Sequence, residues 1–218
     1  MQFPREAQRP TAPICGPKQP TEFESFRDLL QQGLGERLCQ LLEGARSSSA
    51  SFPLSEFPAD VQRKLRLVTA SDAMRLCLEH SYGLEFTCTA ENAFELRSSA
   101  SRNSRPPIVT EEVYMTAQNE LPLAMGIINL VNDRIRGDGT NGYYAHIPIG
   151  LAASEYDQLL RLMSIRLWRK ALEMRYGLRF GFRAPFHLAA ARAHDSNYLR
   201  HFVSLEEQVR TGLSLSDP

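Results

Sequence analysis

Ser154–Phe186 reads SEYDQLLRLMSIRLWRKALEMRYGLRFGFRAPF, and the rest of the chain is read outward from it. Tyr156, Leu160, Met163, Leu167, Ala171 and Met174 recur at helical spacing as one apolar stripe, which predicts a long amphipathic helix. Its other faces carry Arg161, Arg166, Arg169, Lys170 and Arg175 against one acid, Glu173, with Arg179 and Arg183 beyond Gly177. Trp168, Tyr176, Phe180 and Phe182 are interleaved with those cations. A helix packed on one side and basic and aromatic on the other suits a polyanion, single-stranded RNA first of all. The same pattern also fits an ordinary core-packed helix whose arginines do no more than solvate its outer face.

Downstream, Pro185 opens a last predicted helix, Phe186–Phe202, with Val203–Leu215 trailing. Upstream, Thr110 and Glu112 cap a helix over Val113–Gln118, which Asn119 and Pro122 restart or kink. Leu121–Ile135 is strongly apolar and stops at Arg134-Ile-Arg136-Gly137, cations beside the negative end of a helix and then a glycine. Gly137–Gly142 reads as a turn and Tyr143–Ile149 as a short strand limited by Pro148.

In the front half, Thr21 with Glu24 forms a capping box for an amphipathic helix ending near Gly44, weakened at Gly33 and Gly35. Pro58 opens a second helix with Val61, Leu65, Val68, Ala73, Leu76, Cys77 and His80 inward; Ser71 is placed to cap a fresh helix after a break. Leu84–Thr89 and Ala93–Arg97 alternate apolar and polar residues, which predicts a small β-hairpin. Five prolines in residues 1–20 make an extended arm rather than a signal peptide. The expected fold is mainly α: a four- to five-helix bundle with one small β-hairpin and an extended N-terminal arm. Residues 21–210 form a single helical domain in this reading, 211–218 a tail, and no internal repeat is legible.

At 218 residues and zero formal net charge the chain can bury a substantial core. Of its 25 Lys/Arg and 25 Asp/Glu, residues 161–218 hold ten and five, leaving fifteen and twenty in residues 1–160. A basic back and an acidic front can meet head to tail in neighbouring copies, or face each other within one fold. Cys15, Cys39, Cys77 and Cys88 lack metal or disulfide spacing and read as free thiols in a reducing compartment. No apolar run reaches the length of a membrane span.

Catalytic signatures are not found. Gly137-Asp-Gly-Thr-Asn-Gly142 matches G-x-G-x-x-G by letter, but a predicted helix precedes it where the dinucleotide fingerprint needs a strand. His187, His194 and His201 recur every seven residues; on a helix that spacing is about 10 Å, too long for one metal ion. The reading is therefore of a protein without enzyme activity, cofactor or metal.

Leu123–Tyr144, LAMGIINLVNDRIRGDGTNGYY, resembles a stretch near the end of coat proteins of rod-shaped plant RNA viruses. Trp168–Phe180, WRKALEMRYGLRF, is similar to the closing segment of several of that group, tobraviruses among them. Coat proteins of flexuous filaments offer a looser likeness. The resemblance implies a coat or nucleocapsid protein in a virion or host cytoplasm, assembling helically with copies of itself on single-stranded RNA. Arg134, Arg136, Arg166, Arg169, Lys170 and Arg175 are the candidates to neutralise phosphates, and Trp168 and Tyr176 to stack bases. The alternative is an intracellular helical module, an adaptor or effector, that binds protein and no nucleic acid.

Overall fold

The computed structural model describes residues 20–88, 93–98, 109–136, 144–147, 150–183, 187–194, 199–204 and 207. Helix α1 (Glu22–Gln31) begins at the capping box: Thr21 Oγ1 accepts from the Glu24 N–H at 3.2 Å, and the Thr21 N–H donates to the Glu24 carboxylate at 2.7 Å. Gly33 then takes a φ of +68°, and α2 (Leu34–Gly44) starts afresh.

Beyond α2 the chain uses one order of elements twice. The first run is β1 (Ser49–Pro53), α3 (Ala59–Ala70), α4 (Asp72–Tyr82), β2 (Leu84–Cys88) and β3 (Ala93–Ser98), closed by α5 (Glu111–Arg136). The second is β4 (Tyr144–His146), α6 (Ala153–Ser164), α7 (Arg166–Tyr176), β5 (Leu178–Arg183) and β6 (His187–Arg192), followed by the two-residue β7 (Val203–Ser204). Each run makes an antiparallel sheet of the same order, β1-β3-β2 and β4-β6-β5, with β7 added outside β5. Ala59 to Ala153 and Ala93 to His187 are the same 94 residues apart. The hairpin registers agree as well: Leu84 faces Ser98, and Leu178 faces Arg192.

The expectation of no internal repeat is thereby overturned. Leu78-Glu79, Tyr82-Gly83-Leu84 and Phe86 return as Leu172-Glu173, Tyr176-Gly177-Leu178 and Phe180, scattered among positions that have diverged. Gly83 and Gly177 cap their helices at φ +64° and +62°, which lets each helix turn at once into a strand. The corresponding helices α4 and α7 pack on each other and join the two units. One continuous core runs through both, with Phe26, Phe86, Phe94, Tyr114 and Trp168 fully buried.

The mainly α-helical bundle is likewise corrected: seven helices are accompanied, among the described residues, by antiparallel sheets of three and four strands. The long basic helix is two helices, because Ile165 is extended at φ −82°, ψ 104°. Carbonyls at the end of α6 are taken up locally: the Arg169 guanidinium donates to Met163 O at 2.8 Å and Ser164 Oγ to Arg161 O at 2.6 Å. The expected last helix from Phe186 to Phe202 is replaced over His187–Arg192 by β6, paired on both edges, with Leu188 and Ala189–Ala191 fully buried. Pairing and burial of small side chains outweigh the helix preference of alanine there. His187, His194 and His201 thus share no helical face; the last two lie in turns.

Pro122 sits inside the 26-residue α5 without splitting it. The first hairpin, the break before Ser71 and the short strand at Tyr144 fall where the sequence placed them. The proline-rich arm over residues 1–19, the turn at 137–142 and the tail at 211–218 lie outside the described residues.

Candidate functional site

A helix that reverses directly into a strand leaves backbone N–H groups in need of acceptors. Both units meet that need with a buried glutamate one turn before the glycine. The Phe86 N–H donates to Glu79 Oε1 at 2.7 Å, and the Phe180 N–H to Glu173 Oε1 at 3.0 Å. The two carboxylates are 1 % and 3 % exposed, yet their counter-charges come from different places. Glu173 receives Lys170 Nζ at 2.8 Å and Arg179 Nη1 at 3.0 Å, both from its own unit. Glu79 receives Arg175 Nη1 at 2.9 Å from across the α4–α7 seam. Burial pushes the Glu79 carboxyl up to about 7, against the opposing pull of Arg175, the Phe86 N–H and, within its own helix, Arg75. Burial, and then the charge of Lys170, hold the neighbouring His80 below its ordinary value, with Glu173 opposing.

These pairings account for much of the basic stretch read from the sequence. Lys170 and Arg175 are partly buried and neutralised by Glu173 and Glu79. Arg169 is 3 % exposed and spent on the α6 terminus. Trp168 is fully buried, its indole N–H donating to Val113 O at 2.9 Å, so no base can stack on it in this fold. Arg166 and Arg134 are exposed, but Arg166 lies by the start of α5, which Trp168 contacts, and Arg134 lies at its end. At about 1.5 Å per residue that is roughly 30 Å apart, so the two do not share one groove. The side chain of Arg136 is outside the described residues.

Other cations were passed over in the sequence reading. Arg63 and Arg66 project to solvent from α3 beside Leu67, which is 36 % exposed. In sequence they belong to the cluster Arg63-Lys64-Leu65-Arg66, on a helix whose inner-face periodicity is the stronger signal. Among the described residues Arg63, Arg66 and Arg166 make no ion pair, whereas Lys64 pairs with Asp60 at 3.5 Å. Arg66 and Arg166 each sit within about one helical turn of the helix–helix turn of their unit.

The two turns are built differently. Ser71 Oγ caps α4 and donates to Glu22 Oε1 at 2.5 Å; the same oxygen accepts from Tyr114 OH at 2.6 Å, and Gln118 donates to Glu22 Oε2. That network ties α1, the α3–α4 turn and α5 together. In the second unit Ile165 offers no side-chain cap, and Ser164 and Arg166 are exposed.

A concave apolar surface lies elsewhere on the first unit. A groove of about 610 Å³ opens between α2, β1 and the start of α3, walled by Leu34, Leu38, Leu41, Phe52, Phe57 and Val61. Phe52 is braced by stacking on Phe94 at 5.5 Å. Arg37 and Gln40 stand at its solvent edge. In the second unit α5 packs directly on α6 instead. Among the described residues no three potential metal ligands come together, and no helix is long and apolar enough to cross a membrane.

A family model described as NucS shadow ORF matches residues 94–214, from β3 through the whole second unit. No curated protein and no solved structure matches. The expected kinship with plant-virus coat proteins is overturned by that match.

Proposed function

This chain belongs to the KH_NucS_shadow family, and from that membership and its doubled β-α-α-β-β order we propose that it is a non-catalytic module binding single-stranded RNA. We read the letters KH as the KH module, in which a Gly-X-X-Gly loop clamps the backbone of about four nucleotides. The turns Thr69–Asp72 and Met163–Arg166 contain no glycine, so that clamp has no counterpart at either helix–helix junction. Phosphate neutralisation must then supply the affinity. The observation that carries the reading is an exposed arginine without an ion-pair partner near each helix–helix turn, Arg66 before the first turn and Arg166 just after the second, at positions that do not correspond in the two units. Arg63 adds a third such charge.

Three phosphate contacts on a single strand give a slope of log affinity against log salt of about −2. Fluorescence anisotropy of a labelled single-stranded RNA, titrated with the full chain at several salt concentrations, measures it directly. Arg66→Glu combined with Arg166→Glu should weaken binding about tenfold or more and flatten the slope. Absence of binding at low salt would remove this reading. The second reading, a protein-interaction module without nucleic acid, is favoured by the apolar groove beside α2.

A further inference from the structure

The outward faces of the two sheets have diverged, and the second carries a cluster of bases. On β6, Leu188 and Ala190 belong to the core, so His187, Ala189 and Ala191 point the other way. His146 lies opposite Ala189 and Arg183 opposite His187, which puts three basic side chains at one corner of that outer face. The two imidazoles meet edge to face, with centroids 6.3 Å apart. The corresponding corner of the first sheet carries Ser51 and Ala93, so the cluster is not something the repeated fold requires. Burial, then the charges of Arg183 and His187, hold His146 below its ordinary value. Among the described residues no acid acts on it, from α5, which packs on β4, or from β5 and β6. Further back on β5, Arg179 is already bound to Glu173 at 3.0 Å. Phe202 closes one side of the face by lying over Gly181, where a Cβ would be 3.0 Å from its side chain, while His187 is exposed.

We propose that His146, His187 and Arg183 bind a phosphate group on this outer face, either that of a small phosphate ester or the terminal phosphate of an RNA strand. Like charges held this close repel, and an anion between them is attracted by all three. A guanidinium fork and two imidazoles bring several donors to the oxygens of one tetrahedral anion. A metal ion would meet the permanent charge of Arg183 instead. The site uses none of the arginines assigned above to the RNA backbone, and phosphate binding here does not depend on that reading.

Inorganic phosphate titrated into the full chain at constant ionic strength, with chloride making up the balance, tests it by NMR of the ring signals of the five histidines. The signals of His146 and His187 should move together and saturate, and the titration midpoint of His146 should rise, since an anion favours the charged ring. His194 and His201, exposed in turns, should stay in place. Arg183→Gln should weaken phosphate binding at least about tenfold. His187→Gln, on an exposed position, should do the same while the signals of His80 and His194 report an unchanged fold. Movement of all five signals in parallel, movement of none, or unaltered phosphate affinity in Arg183→Gln would overturn the proposal. A single-stranded RNA with a 5′-phosphate, compared with the same strand ending in a hydroxyl, separates the two sources. Tighter binding of the first, lost in Arg183→Gln, assigns the site to the end of an RNA; equal affinity beside intact phosphate shifts assigns it to a small ester. Should neither strand bind, the RNA reading fails and the phosphate titration still decides this one.

Discussion

Glu79 is a carboxylate whose ionisation works against the fold. Its value lies near 7 when folded, against an ordinary 4.5, so between those limits the folded chain binds more protons than the unfolded one. Stability therefore falls as pH rises through that window, by up to about 1.4 kcal/mol per pH unit. His80 acts in the opposite sense below its ordinary 6.5, because its folded value is depressed. The two are separable above pH 6.5, where the residual fall belongs to Glu79. Glu79→Gln keeps an acceptor for the Phe86 N–H and should flatten the decline between pH 6.5 and 8; thermal melts across that range check it. Gly35 makes a sharper demand. A Cβ there would lie 2.1 Å from the Tyr82 ring, whose hydroxyl donates to Glu36 at 2.9 Å. Gly35→Ala should lower stability by about 1–3 kcal/mol, read as a drop in the urea midpoint.

Helix ends carry much of the specificity in this chain. Ser71 is both the cap of α4 and a donor to Glu22, so Ser71→Ala should cost about 1–2 kcal/mol and loosen α1, seen as faster amide exchange over Glu22–Gln31. The capping box at Thr21, the break before Ser71 and the first hairpin were legible because each rests on local chemistry: a hydroxyl, a carboxylate three residues on, a period of two. The break at Ile165 was not legible. The apolar stripe passes through it, and the group that makes it tolerable, Arg169 on the Met163 carbonyl, reads in sequence as one more surface cation. His187–Arg192 misled for a related reason, since His-Leu-Ala-Ala-Ala-Arg favours a helix until two strands flank it. The basic face dissolved for want of partners in view. Glu79, which claims Arg175, lies 96 residues away along the chain.

The two units share one core and one helix seam, so they should melt together. Calorimetric and van't Hoff enthalpies are expected to agree for the full chain. A fragment starting at Val109 loses α4 from the face of α7 and should unfold with a broad, weakly cooperative transition. The doubling itself was hidden by divergence: both copies retain the set that the turn requires, a buried Glu, a Tyr, a Gly and the Phe whose N–H the Glu accepts. Solvent-facing positions drifted freely, and with them any periodic signal.

The counter-charge of Glu79 gives the two halves unequal standing during synthesis. The second unit carries its own cations hydrogen-bonded to Glu173, while the cation hydrogen-bonded to Glu79, Arg175, is made 96 residues after it. At cellular elongation rates that is a delay of roughly 5–20 s, during which Glu79 has the charge of Arg75 and the Phe86 N–H to oppose its burial but not the Arg175 ion pair. A nascent chain stalled before Arg175 should remain open to protease around Asp72–Cys88, and one stalled well beyond it should be closed. The half that emerges first is thus completed last, and the later half serves as its scaffold.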